Sequence, residues 1–188
     1  IIDTMKEFGL TLEYKKIHEY VIKYSVNDCL IAMAAKTGYS YQQIRATYGL
    51  ISGARNFDVG LIPNAREVLY ALTLKGARHF VYTHRGVTTD AILQNFYMRD
   101  SFVEVVNSQY GFARKPSPDA INYLVNKYHL DKENTFYVGD RKIDMECAQN
   151  SGVKGILYLE PNGVGEKSGF ETYVVNNLMD ITKLWLAI

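Results

Sequence analysis

The stretch Thr135-Phe136-Tyr137-Val138-Gly139-Asp140-Arg141-Lys142-Ile143-Asp144 passes from one kind of structure to another within a few residues. Its first half is aromatic and β-branched, which predicts a strand over Thr135 to Gly139. Its second half leads into a helical pattern from Ile143 to Ser151, closed by Gly152. Gly155 to Leu159 then predicts another strand. Two strands joined through a helix run parallel, with the helix crossing one face of the sheet.

The alternation continues in both directions. Upstream, Asn64 with Glu67 starts a helix that ends at Gly76, Arg78 to Thr83 is β-rich, and Thr88 opens a helix over Ala91, Ile92, Leu93 and Phe96. Phe102 to Val106 reads as a strand, and Ser117-Pro118 begins a helix with proline at its first position. Downstream, Tyr173 to Val175 is a short last strand before a helix carrying Leu178, Ile181, Leu184 and Trp185. Such a series predicts an α/β fold, a Rossmann-like, doubly wound parallel sheet with helices on both faces.

Residues 1–60 differ. Strand signals are absent there, and the pattern is that of a small all-helical unit. Tyr14, Ile17, Val21 and Tyr24 recur at helical spacing on what should be one buried side. Ser25 with Asp28 predicts a cap for a helix that stops at Gly38, and Ser40 caps a third running to about Tyr48. The division expected is 1–60 helical and 61–188 α/β.

Composition narrows the function. The 188 residues are 47% hydrophobic and 22% charged, with 21 Lys+Arg against 20 Asp+Glu. A net charge of +1 lacks the basic excess of a nucleic-acid binder, so no nucleic-acid partner is expected. No run approaches the ~20 apolar residues of a membrane span, so no membrane partner is expected either. Cys29 and Cys147 stand far apart among small or apolar neighbours, which suits reduced thiols in a cytoplasmic protein.

In a doubly wound sheet, ligands bind beyond the carboxyl ends of the strands. The strand from Arg78 stops at Thr83-His84-Arg85-Gly86, where a hydroxyl and turn N–H groups could hold a phosphate. The next leads to Arg114-Lys115-Pro116-Ser117-Pro118, which sets Lys115 just before a helix. The third delivers Asp140 and Asp144, a pair suited to a hard cation. Each has a plain alternative: a β-branched residue ending a strand, a solvated loop lysine, a helix cap with a dipole-favoured acid.

Taken together, Thr83, Lys115-Pro116 and Gly139-Asp140-x-x-x-Asp144 resemble the second, third and fourth motifs of the haloacid dehalogenase superfamily. Arg78 through Gly152 is similar to its phosphoglycolate phosphatase and β-phosphoglucomutase-like branch, and the helical block to that branch's cap. The resemblance implies that Thr83, His84 and Lys115 bind substrate, and that Thr83, Lys115 and Asp144 serve catalysis. It implies that Asp140 and Asp144 hold Mg2+, with Asp140 as the direct ligand. The expected substrate is a small phosphorylated metabolite, the reaction phosphomonoester hydrolysis through an aspartyl-phosphate, and the assembly a monomer or homodimer. A phosphomutase shares the same three motifs, and a non-catalytic phosphate-binding protein is the other reading. The superfamily's first motif, Asp-x-Asp, does not occur in these residues. The resemblance implies that it lies in about 20 residues before Ile1, on a strand between those finishing at Thr83 and Asp140.

Overall fold

The computed structural model describes residues 1–55, 57–161, 163 and 165–185. They form two compact units, Ile1–Gly60 and Leu61–Ile188.

The first unit holds four helices: α1 (Ile2–Glu7), α2 (Tyr14–Lys23), α3 (Val26–Thr37) and α4 (Tyr41–Ala54). The Ser25 hydroxyl accepts the Asp28 N–H at 3.1 Å and starts α3, and Gly38, at φ +75°, ends it. Ser40 and Gln43 form a reciprocal capping box at the start of α4. This helix continues to Ala54, past the end expected near Tyr48. Gly49 and Gly53 weaken it without supplying the left-handed turn that would stop it. Met5, Cys29, Leu30, Met33 and Ile44 make the core, with Ile17, Tyr20 and Val21 packed on it. The expected buried face of α2 is therefore only half right. Tyr14 and Tyr24 are 69% and 49% exposed, because at the two ends of the helix they overhang the cluster.

The second unit alternates helix and strand: α5 (Ala65–Thr73), β1 (Phe80–Tyr82), α6 (Thr88–Asn95), β2 (Glu104–Val106), α7 (Asp119–Tyr128) and β3 (Phe136–Gly139). Then come α8 (Lys142–Ser151), β4 (Lys154–Tyr158), β5 (Tyr173–Val175) and the short α9 (Ile181–Leu184). Every strand pairing is parallel. Helices cover both faces of β4. Ile156 and Tyr158 pack with Val68 and Leu72 of α5, whereas a Cβ on Gly155 would meet Met145 and Ala148 of α8. The C-terminal helix is shorter than its apolar spacing suggests, since Leu178–Asp180 is a 3-10 turn. Asn64 makes no side-chain cap for α5; it bonds Asn177 Oδ1 at 3.0 Å instead.

The strands form two sheets rather than one, β1-β2 and β3-β4-β5. The helix α7 ties them together. Its Ala120 and Leu124 pack on Val106 of β2, and its Ile121 and Val125 pack with Cys147 and Ala148 of α8. Thr83 N–H donates to Val106 O, so by strand alternation the Tyr82 carbonyl points the other way, to the free edge of β1. Lys154 N–H donates to Thr135 O, which likewise turns the backbone groups of Phe136 and Val138 to the free edge of β3. The Tyr82 and Tyr137 rings approach to 6.2 Å across the interval between the two sheets.

Candidate active site

Gly139 is required where β3 meets α8. A Cβ there would lie 2.4 Å from the Asp144 Cβ and 2.6 Å from its Cγ, so only glycine lets that side chain fold back against the strand end. Asp144 is thereby buried, 5% exposed, and its carboxylate is fully engaged. Oδ1 accepts from Lys115 Nζ at 2.8 Å and from the Tyr137 hydroxyl at 3.2 Å, and Oδ2 accepts from the Arg141 N–H at 3.2 Å.

Lys115 is held from every side. Its ammonium also donates to the Tyr82 carbonyl at 3.3 Å, the group on the free edge of β1, and lies 4.7 Å from the Tyr82 ring centre and 5.3 Å from that of Tyr137. Burial, then the nearby Cys147, Asp119 and Asp144, push the Tyr82 hydroxyl up to about 12. Burial and Asp144 raise Tyr137 still further, so both phenols stay protonated. The backbone around Lys115 is pinned by α8: Asn150 Nδ2 donates to Pro116 O at 2.9 Å and the Cys147 thiol to Ser117 O at 3.1 Å.

Thr83 follows β1 and lines a cavity of about 230 Å³ with His84, Asn107, Ser108 and Arg114. Its Oγ1 accepts the Arg85 N–H at 3.1 Å, which leaves the hydroxyl proton for another acceptor. The His84 ring is turned to the loop: Nε2 accepts the Lys115 N–H at 2.9 Å. Burial first, then the charges of Lys115 and Arg114, lower its pKa to about 4, so the ring is neutral near pH 7.

Asp140 stands at the end of β3 with an exposed face. The protein packed behind it, and next the Asp144 carboxylate, raise its pKa, with Arg141 and Lys115 offsetting only part. A hard carboxylate donor beside a second carboxylate fits a divalent cation, which would offset the cost of holding it ionised there. Asp144 has no oxygen without a protein donor, so it suits an orienting role more than a direct bond. Among the described residues no three His, Cys, Asp or Glu side chains gather as a metal site.

Of the five residues picked from the sequence, the structure joins Lys115 to Asp144 and His84 to Lys115. Thr83 lies next to the carbonyl that holds the ammonium, and Asp140 faces outward beside Asp144. The sequence reading passed over Tyr137, Tyr82 and Asn150. Tyr137 carried a usable signal, because a tyrosine within a strand that packs on a helix needs a partner for its hydroxyl.

Parallel strands flanked by helices, with a lysine and two carboxylates gathered where β1 and β3 end, define a Rossmann-like α/β core with a polar site at its strand ends. The chain belongs to the haloacid dehalogenase-like hydrolase family, whose model matches residues 1–158. It is 31% identical over 145 residues to the phosphoglycolate phosphatase of Pasteurella multocida, a match covering 70% of this chain and 65% of that one. Against the phosphoglycolate phosphatase of Vibrio vulnificus (strain YJ016) it is 27% identical over 124 residues, covering 64% and 54%. The chain thus spans between about half and two thirds of these curated relatives. Among solved structures, a hydrolase from Streptococcus pneumoniae TIGR4 superposes with a TM-score of 0.61 at 26% identity, covering 84% of this chain and 81% of that one. A protein described as a predicted phosphoglycolate phosphatase from Haemophilus somnus 129pt shares the fold, with a TM-score of 0.82 at 18% identity over 97% and 87%. No described helix is long and apolar enough to cross a membrane.

Proposed function

We propose that this protein is a Mg2+-dependent phosphatase that moves the phosphoryl group of a small phosphomonoester to an aspartate and then hydrolyses the aspartyl-phosphate. The observation that carries this reading is the buried Lys115–Asp144 pair, 2.8 Å long, set at the ends of β1 and β3 beside Thr83. Phosphoryl transfer needs little covalent work from a protein and much fixed positive charge. Lys115, immobilised by Asp144, the Tyr82 carbonyl and two rings, supplies that charge without reorganising. The Thr83 hydroxyl, its lone pair already engaged by Arg85, donates its proton to a phosphoryl oxygen.

Asp140 would hold Mg2+ directly, while Asp144 would orient Lys115 and metal-bound water. When bound, the ion neutralises charge on the phosphoryl oxygens. The nucleophilic aspartate belongs on a strand between β1 and β3, a place supported by their two unpaired edges. Residues 1–60 would serve as the cap that shields the substrate from water. The names of the curated relatives point to a small phosphorylated acid as substrate, and two buried free thiols suit a reducing, cytoplasmic setting.

Full-length protein should hydrolyse p-nitrophenyl phosphate with Mg2+ and stop in chelator. Asp140→Asn should lower kcat by about 100-fold or more and raise the Mg2+ concentration needed for half activity. Equal rates in Mg2+ and chelator would overturn the metal assignment.

A further inference from the structure

We infer that His84 is a positioning residue for Lys115: its imidazole is a backbone acceptor that fixes where the lysine leaves the 113–117 loop. The inference rests on the phosphatase reading for its effect on rate, and on geometry alone for the contact. The Lys115 N–H donates to Nε2 at 2.9 Å, a full hydrogen bond. The Tyr82 hydroxyl, 3.5 Å from the same nitrogen, donates at 3.4 Å to the carbonyl of Ala113. His84 stands edge-on to the Tyr82 ring, with centroids 5.8 Å apart. So the loop is anchored at one end by residues of β1 and its turn, through Ala113 O and Lys115 N. At the other end it is anchored by α8, through Pro116 O and Ser117 O.

The chemistry of imidazole makes this specific. With Nε2 accepting, Nδ1 must carry the proton in the neutral ring. The Arg114 guanidinium nitrogen 3.4 Å from Nδ1 is then a close approach of two donors, not a hydrogen bond. A protonated ring would set N–H against N–H at Lys115. The surroundings oppose that form, since burial and two neighbouring cations hold the ring neutral. Without the acceptor, the Lys115 amide is left as a half-buried donor, and the anchor of the loop on the β1 side is reduced to the longer Tyr82 contact. The ammonium, 2.8 Å from Asp144, would drift from its place between the two strand ends.

The test uses two readouts. In the 15N spectrum of labelled protein, His84 Nε2 should resonate as an unprotonated ring nitrogen and show a hydrogen-bond coupling to the Lys115 amide. A protonated Nε2 overturns the proposal whatever the enzyme's activity. In full-length protein, His84→Phe keeps the ring's bulk and removes the acceptor. Its kcat on p-nitrophenyl phosphate should fall about 10- to 100-fold with KM changed less than about threefold, as for loss of an orienting partner. His84→Gln restores an acceptor at similar reach and should recover most of the lost kcat. Unchanged kcat in His84→Phe overturns the positioning role, as does equal loss in a folded His84→Gln. If wild-type protein has no phosphatase activity while the amide coupling is present, the function reading fails and the contact stands.

Discussion

β2 and β4 are the well-buried strands of the α/β unit, and β1 and β3 are not. Val105 and Val106 are 4% and 0% exposed and Ile156 and Leu157 both 0%, whereas no residue of β1 is fully buried and Val138 in β3 is 41% exposed. β4 is paired on both edges, by β3 and β5, and covered by helices on both faces, and β2 is packed by α7, whereas β1 and β3 each lie at the edge of a sheet. Here the two exposed strands are the ones whose ends carry Thr83 and Asp140, and whose free edges border Lys115. Packing strength sits in β2 and β4, and the candidate chemistry sits on either side of an interval that α7 bridges from one face. On the proposed reading a further strand lies between β1 and β3, and the comparison gives each strand pair a distinct expected response to mutation.

The largest contrast is between two glycines. Gly139 in β3 has no room for a Cβ, which would come within 2.4 to 2.8 Å of the Asp144 side chain. Gly155 in β4 would bring a Cβ to 3.1 Å from Met145 Sδ and 3.3 Å from Ala148 Cβ, where a flexible thioether can yield. Gly139→Ala should drive Asp144 off Lys115 and lower kcat of the full-length protein by about 100-fold or more, since small displacements of reacting groups cost that much. Gly155→Ala should cost stability, about 1–3 kcal/mol by overpacking, and leave kcat nearly unchanged. Parallel thermal melts and kinetics of the two variants separate these outcomes, and similar kcat losses in both would erase the division between the strands.

Much of this arrangement is legible in the residues, and for a physical reason. Gly139-Asp140, Lys115-Pro116 and Thr83 each combine a backbone requirement with a chemical group in a few consecutive positions, so a local reading finds them. The strand and helix alternation from Asn64 onward is local in the same way. What depends on partners distant in sequence was not legible. The β-rich runs do not by themselves give the order of the strands; the gap between those ending at Thr83 and Asp140 comes only from the resemblance. Helical spacing in α2 does not say where the cluster beneath it ends, so Tyr14 and Tyr24 were misplaced. The sequence offers His84 as a polar turn residue that could face a phosphate, and only the fold turns its ring toward Lys115 N–H.

A second test compares valines. Val106→Ala removes fully buried methyl groups from β2 and should cost about 2 kcal/mol in chemical denaturation. Val138→Ala touches a side chain that is 41% exposed and should cost less than about 0.5 kcal/mol in this chain. Attaching an Asp-x-Asp strand that fills the interval would cover Val138, and the same substitution should then cost more than about 1 kcal/mol. A valine that stays neutral in the longer protein would mean that no strand lies against β3 there.

The smallest expected effect is a pH dependence confined to β2. Glu104 begins β2, at the strand end away from Thr83, and is 7% exposed. Burial alone would raise its pKa. Hydrogen bonds from Tyr128, Lys127, Tyr123 and Tyr110 outweigh that and lower it to about 2. Tyr123 and Tyr110 donate to Oε1 at 2.8 and 2.9 Å, and Lys127 Nζ lies 3.0 Å from Oε2. A carboxylate with a depressed folded pKa binds fewer protons than its unfolded form, so the stability it contributes is whole above its ordinary value near 4.5. It is lost as pH falls from there toward about 2. The melting temperature of the wild type should therefore fall more steeply between about pH 5 and pH 2 than that of Glu104→Gln, which has no proton to gain. The difference should be modest, because the Lys127 side chain is 45% exposed and water screens its share. Turnover of p-nitrophenyl phosphate near pH 7 should be the same in both, since nothing in this network touches Lys115 or Asp144. Parallel melting curves across that range would show that Glu104 does not carry the acid sensitivity of β2, and a loss of turnover would show that β2 is not separate from the chemistry.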